Sequence, residues 1–114
     1  MLWKLQDMSA QLNQLNRQTY IVDIDNTIFT TFLSDYKNAT PIPERINRIN
    51  YLFDQGNTII YWTARGGNSG IDWTAFTVKQ LYKAGCKYTK LWMNKPSYDV
   101  WIDDKALNDM DFFK

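Results

Sequence analysis

The chain has 114 residues, of which 45% are hydrophobic and 16% aromatic, a composition typical of one folded domain rather than a disordered segment. The net charge is +1 and the basic residues are scattered, which argues against a large binding surface for duplex nucleic acid. The sequence contains no histidine, so chemistry that needs an imidazole from this chain is excluded.

The cysteine content and the hydropathy of the sequence indicate the cellular compartment of the protein. The single cysteine, Cys86, cannot form an internal disulfide, as is usual in a reducing environment. No run of 18 apolar residues and no recognisable leader is present. These features predict a cytoplasmic protein that does not interact with membranes.

The first 17 residues carry apolar side chains at alternating spacings of three and four, which predicts an amphipathic helix. These side chains are Leu5, Met8, Leu12 and Leu15. We expect this helix (1–17) to pack on the surface of a single catalytic domain (18–114), with a homodimer contact through the helix as the alternative.

The central feature is an apolar strand, Tyr20 to Ile24, that ends by presenting two carboxylates. Side chains alternate along a strand, so Asp23 and Asp25 point to the same side, roughly 7 Å apart along the chain. Two like charges so close call for a cation or a shared proton.

A loop and a helix follow this strand. Residues 28–40 form a loop whose aromatic side chains, Phe29, Phe32 and Tyr36, predict a flap over the strand end. The helix after it is expected to begin near Pro43 and to end at Gly56.

Three more strands are predicted, each with polar residues at or near its end. An apolar run at 57–63 leads into Thr63 and Arg65 and a glycine-rich loop, followed by a helix over 72–84. Residues 87–93 predict a third strand before Lys95, and 100–102 a fourth before the pair Asp103 and Asp104. A short helix ends the chain.

Alternating strands and helices predict an α/β fold of three layers, in which helices cover both faces of a central parallel sheet. Ligands of such sheets bind outside the carboxyl ends of the strands. The polar groups expected to meet at that edge are Asp23, Asp25, Thr63, Arg65, Lys95, Asp103 and Asp104.

The motifs at these strand ends resemble those of the haloacid dehalogenase superfamily of phosphohydrolases. The family has an Asp-x-Asp-x-Thr strand end, then a Thr or Ser, a lysine and a closing acidic pair. Here these positions are Asp23-Ile24-Asp25-Asn26-Thr27, Thr63, Lys95 and Asp103-Asp104, spread over roughly residues 20–110. The resemblance implies the Rossmann-like fold of that superfamily.

The resemblance also implies roles for these residues. Asp23 would attack phosphorus to form an aspartyl-phosphate, and Asp25 would protonate the leaving oxygen and later activate water. Mg²⁺ would be held by the Asp23 carboxylate, the Asp25 backbone carbonyl and Asp104, with Asp103 and Asp109 ordering metal-bound water. Thr63 and Lys95 would hold the phosphoryl oxygens.

The intervals between these motifs are too short for the cap domain that many members of this family insert. We therefore expect an open site for a small phosphorylated substrate, with specificity left to the flap, to Arg65 and to Trp73. Arg65 is expected to bind a second anionic group, because its planar fork suits phosphate or carboxylate.

The sequence leaves several functions open. Three runs also resemble small capless members linked to bacterial sugar-phosphate and polysaccharide synthesis, so a sugar phosphate is the favoured substrate. These runs are Ile60 to Gly66, Lys95 to Asp99 and Ile102 to Ala106. The Thr63-x-Arg65 pattern resembles the phosphatase half of polynucleotide kinase-phosphatases, which gives a polynucleotide 3′-phosphatase or a nucleotidase as the alternative. An alternative of another class is a receiver-like or catalytically silent module that binds phosphate or metal.

Overall fold

The computed structural model describes residues 17–114. The predicted N-terminal helix, and the homodimer contact suggested for it, lie outside these residues. Within them no helix is long and apolar enough to span a membrane.

The described chain is an α/β structure. Its β-strands are β1 (Thr19–Val22), β2 (Phe29–Thr30), β3 (Thr40–Pro41), β4 (Thr58–Trp62) and β5 (Lys90–Trp92). Its α-helices are α1 (Pro43–Asp54), α2 (Thr74–Lys83) and α3 (Asp109–Phe112), with a 3₁₀ turn at Tyr36–Asn38.

The central sheet has three parallel strands in the order β1-β4-β5. Its middle strand, β4, is the predicted apolar run, and Ile59, Ile60 and Tyr61 are all buried. A parallel pair needs a crossover connection, which α1 supplies between β1 and β4 and α2 between β4 and β5.

Both crossover helices contribute to one core on one face of the sheet. Ile59 and Tyr61 of β4 belong to the same buried cluster as Ile46 of α1 and Leu81 of α2. The strand order advances in one direction, so two right-handed crossovers place their helices on the same side. The prediction of helices on both faces is therefore not confirmed for the described residues.

Helix α1 follows its sequence signals closely. Pro43 is its first residue, Glu44 lies in its first turn, and Ile46 and Ile49 are its buried positions. Gly56 ends it with φ of 95°, a left-handed conformation that favours glycine.

The predicted flap is a β-hairpin in which β2 pairs antiparallel with β3. Phe29 at its base is buried in the core, whereas Phe32 is exposed. Of the three aromatic residues of the predicted flap, only Tyr36 lines the candidate site.

The prediction of a fourth strand at 100–102 is wrong. Residues 100–102 form no strand, and the side chains of Val100 and Ile102 are 74% and 92% exposed. Trp101 instead packs edge to face against Trp62, with the ring centroids 5.9 Å apart. This contact holds the segment at the end of β4, so it does not add a strand to the sheet.

Candidate active site

A tight turn at the end of β1 presents the two predicted carboxylates. The Ile24 carbonyl accepts hydrogen bonds from the backbone N–H groups of Thr27, Ile28 and Phe29, at 2.9–3.1 Å. Asn26 has φ of 60°, which asparagine tolerates better than most residues, and its side-chain oxygen accepts from Thr31 N. The chain therefore reverses immediately after Asp25.

Asp23 faces a cavity of about 290 Å³ at this edge of the sheet. Its side chain is 38% exposed, so one carboxylate oxygen can meet a ligand. Thr27 Oγ1 donates to Oδ2 at 3.2 Å, and Lys95 Nζ lies 3.6 Å from Oδ1. A partly exposed carboxylate with fixed neighbours is well placed to act as a nucleophile or a cation ligand.

Lys95 reaches Asp23 because the backbone pairing of the sheet continues beyond the strands. Thr63 N donates to the Trp92 carbonyl, and Lys95 N donates to the Thr63 carbonyl, both at 2.9 Å. Asn94, which lies between Trp92 and Lys95, takes a left-handed conformation with φ of 62°. The structure thus places Lys95 beside Asp23 and pairs the backbone of Thr63 with the segment that carries Lys95.

Thr63 is buried, and its hydroxyl oxygen accepts a hydrogen bond from Arg65 N at 3.2 Å. A threonine hydroxyl can accept from one group and donate to another. The hydroxyl thus orients the backbone that leads into Ala64 and Arg65, which line the cavity.

Arg65 is placed differently from the expectation that it binds a second anionic group of the substrate. Its side chain is fully buried and makes a bidentate pair with Asp25, at 3.0 Å from Nε and 2.8 Å from Nη2. Nη1 donates to Thr77 and Gln80 of α2. The guanidinium also lies 4.7 Å from the centre of the Tyr36 ring.

Arg65 therefore acts inside the protein, where it fixes Asp25. Thr31 adds a third hydrogen bond to that carboxylate, from Oγ1 to Oδ1 at 2.7 Å. Together with the two hydrogen bonds from Arg65, this bond fixes the orientation of Asp25, which also lines the cavity.

Sequence reasoning missed three of these contacts: Thr31, Thr77 and Gln80. Thr77 and Gln80 lie three residues apart, so they share a face of α2. That spacing of polar residues next to the buried Leu81 was a usable signal. Gln80 also donates from Nε2 to the Tyr36 carbonyl at 2.9 Å, which ties the hairpin to the helix.

Asp103 and Asp104 are not brought to this site. Both are exposed, and Asp103 accepts hydrogen bonds from Lys105 N and from the Trp101 indole. These bonds, the Lys105 one foremost, lower the pKa of the Asp103 carboxyl. Asp109 forms an ion pair with Arg45 instead, with its Oδ2 2.7 Å from Arg45 Nη1.

The predicted Mg²⁺ ligands are only partly brought together. Within residues 17–114, no three acidic or cysteine side chains lie close enough together to ligate one metal ion. Mg²⁺ often binds proteins through one or two carboxylates plus water and substrate phosphate. Asp23 suits that mode, whereas the predicted ligand set with Asp103 and Asp104 is not assembled.

Burial raises the pKa of the Asp23 carboxyl above its ordinary value of 3.8, against the opposing effects of Lys95 and of hydrogen bonds from Ile24 N and Thr27. The folded state thus binds this proton more tightly than the unfolded state, so ionisation costs stability as the pH rises. In chelator-treated protein, Asp23→Asn should gain stability over wild type as the pH increases above about 4. Chemical denaturation from pH 3 to pH 8 measures this; equal stability across the range would contradict it.

No family model and no curated protein matches the sequence. A crystal structure from Vibrio cholerae, described as an MCSG target, is similar to this chain, with a TM-score of 0.75 and 28% sequence identity. The alignment covers 84% of this chain and 87% of that one. An experimental structure therefore shares the α/β architecture, and its description names no activity.

Proposed function

We propose that this protein is a phosphomonoester hydrolase of the haloacid dehalogenase type, with the Rossmann-like fold of that superfamily and without a cap. The observation that carries the proposal is the cavity in which Asp23 lies 3.6 Å from Lys95. Thr63, directly after β4, is the proposed hydroxyl donor. A nucleophilic carboxylate, a cation and a hydroxyl donor are the groups needed to displace an alcohol from phosphate.

In the proposed reaction, an Asp23 oxygen attacks phosphorus and the bond to the leaving oxygen breaks. The phosphoryl group is then bound to Asp23, and the leaving oxygen takes a proton from the Asp25 carboxyl, the predicted acid. Water, with Asp25 as base, attacks the aspartyl-phosphate and releases inorganic phosphate. Lys95 and Thr63 stabilise the negative oxygens that develop on phosphorus.

Mg²⁺ is part of the proposal. When bound, it would neutralise charge on the phosphoryl oxygens, and the Asp23 carboxylate and the Asp25 backbone carbonyl would hold it. A cytoplasmic location is proposed as well, because Cys86 has no partner cysteine in the sequence for a disulfide.

Phosphate release tests the function. Purified protein with Mg²⁺ is expected to release phosphate from sugar phosphates, nucleotides or 3′-phosphorylated oligonucleotides, and a chelator should stop the reaction reversibly. Release that is unaffected by chelation would refute the metal site. Absence of release from every compound would refute the phosphatase.

A second candidate is a polynucleotide 3′-phosphatase, which one observation favours. Lys95 is flanked by the exposed rings of Tyr98 and Trp101, with Nζ 5.3 and 5.9 Å from their centres. Exposed aromatic rings beside a cation can stack with single-stranded bases. Faster turnover of oligonucleotides than of sugar phosphates in the same assay would select this function.

A further inference from the structure

We infer that a second cavity next to the proposed phosphate site binds the alcohol part of the substrate, and that this part is neutral and rich in hydroxyl groups, as in a sugar monophosphate. The inference rests on the proposed function, since it identifies the substrate class of that same site. We call this second cavity the annex. Its lining residues are Ser34, Tyr36, Ala64, Asn68, Ser69, Ile71, Trp73 and Ser97.

The annex adjoins the phosphate site. Its volume is about 390 Å³, and the two cavities share Tyr36, Ala64 and Ser97. Small-ligand pockets usually have volumes of about 300–1,000 Å³. A phosphoryl group at Asp23 would therefore leave space in the annex for the group to which it is esterified.

The loop after β4 gives the annex a defined wall. Gly66 has φ of 83°, and a Cβ atom there would lie 2.3 Å from the Ile71 carbonyl oxygen. The loop therefore closes on itself in a way that only glycine permits. Asn68 Nδ2 lies 3.4 Å from Ser97 Oγ and so links this loop to the segment after β5.

The chemistry of the lining is polar and neutral. Three serine hydroxyls and the Asn68 amide can donate and accept hydrogen bonds, and no charged residue is among the described residues that line the annex. Trp73 packs edge to face with Tyr36, their ring centroids 5.0 Å apart. An aromatic wall with hydroxyl and amide partners suits a compound that has C–H faces and many hydroxyl groups.

Arg65, which follows the annex residue Ala64 in the chain, is not available to a second anionic group. Arg65 is fully buried, paired with Asp25 through two nitrogens and covered by the Tyr36 ring. A second phosphate in the annex would lose water without gaining a cation. The annex should therefore select against bisphosphates and nucleoside diphosphates.

Steady-state kinetics test the inference with three kinds of substrate. These are a panel of hexose and pentose monophosphates, fructose 1,6-bisphosphate, and acetyl phosphate, which places no sugar in the annex. The best monophosphate is expected to exceed the bisphosphate about tenfold in kcat/KM, as the desolvation of a second anion implies.

Asn68→Asp adds a negative charge to the annex, and Asn47→Asp adds the same charge on an exposed position of α1. The ratio of kcat/KM for the best monophosphate to that for acetyl phosphate should fall about tenfold in Asn68→Asp. That ratio should not change in Asn47→Asp. Asn68→Lys should raise the relative rate on the bisphosphate, a gain that misfolding cannot produce.

The outcomes separate the two proposals. The role of the annex is overturned, and the phosphatase retained, if acetyl phosphate is hydrolysed but two variant effects are missing. These are the fall in the monophosphate-to-acetyl-phosphate ratio of kcat/KM in Asn68→Asp and the higher relative rate on the bisphosphate in Asn68→Lys. A bisphosphate or an oligonucleotide as the best substrate also overturns the role of the annex. No turnover of any compound, acetyl phosphate included, overturns the phosphatase and the annex together.

Discussion

Asp23→Asn is expected to lower the rate of phosphate release by a factor on the order of 10⁴ or more, because the variant lacks the proposed nucleophile. An amide has nearly the shape of the carboxylate but neither its charge nor its nucleophilicity. Phosphate release under saturating substrate, followed by a coupled colour assay, measures the change. Trapping of a covalent phosphoryl group on wild type, but not on Asp23→Asn, would identify the intermediate directly.

Asp54→Asn is a matched control for this experiment. Asp54 pairs with Lys87 at 3.0 Å, and both side chains are about half exposed. An exposed pair of this kind contributes little to stability, so the control should keep wild-type turnover. If Asp23→Asn retains turnover comparable to that of the control, the nucleophile is another residue.

Arg65→Met should destabilise the fold by about 3–5 kcal/mol, the usual cost of removing one partner from a buried ion pair. The variant leaves Asp25, whose side chain is 20% exposed, without its guanidinium. It also removes the hydrogen bonds that Arg65 donates to Thr77 and Gln80. Urea denaturation measures the change in the free energy of unfolding.

Arg48→Met is the matched control, because Arg48 is exposed and lies 5.1 Å from the Phe112 ring. Its loss should cost no more than about 1 kcal/mol. The double variant Arg65→Met with Asp25→Asn should be less destabilised than the sum of the single variants, since it leaves no unpaired charge. If the changes in the free energy of unfolding of the two single variants simply add up in the double variant, the interaction between Arg65 and Asp25 contributes nothing to stability.

The positions of Asp23, Thr63 and Lys95 could be predicted because each is linked to a strand of the parallel sheet by a few residues of backbone. Hydrophobic runs fix where β4 and its neighbours lie, and parallel pairing then brings their carboxyl ends together. Local sequence was sufficient for this part of the site.

Asp103 and Asp104 could not be placed in this way. Their position depends on the contact between Trp101 and Trp62, residues 39 positions apart in sequence (101 minus 62), and no local pattern encodes such a contact. Three apolar residues between polar ones suit a strand, but here side-chain packing outweighs strand propensity. Which face of the sheet the helices cover likewise depends on the order of the strands. The hydrophobic periodicity of the sequence locates strands and helices but does not show that order.

Arg65 illustrates a different limit. The sequence shows a charged residue in a glycine-rich loop, and such residues are usually exposed. Its burial follows from partners in three other segments: Asp25 after β1, the Tyr36 ring in the hairpin, and the polar face of α2. The same interactions that make it unavailable to substrate make it a positioning residue for Asp25.

The aromatic rings around Lys95 give the site an intrinsic optical reporter. The ammonium lies 5.9 Å from the centre of the Trp101 ring, which in turn contacts Trp62. A bound anion that draws the Lys95 ammonium away from Trp101 changes the electric field across the indole ring. The fluorescence of Trp101 therefore changes as well. Titration of the unlabelled protein with phosphate, vanadate or a slowly hydrolysed ester would then report occupancy of the site in real time, without a coupled enzyme.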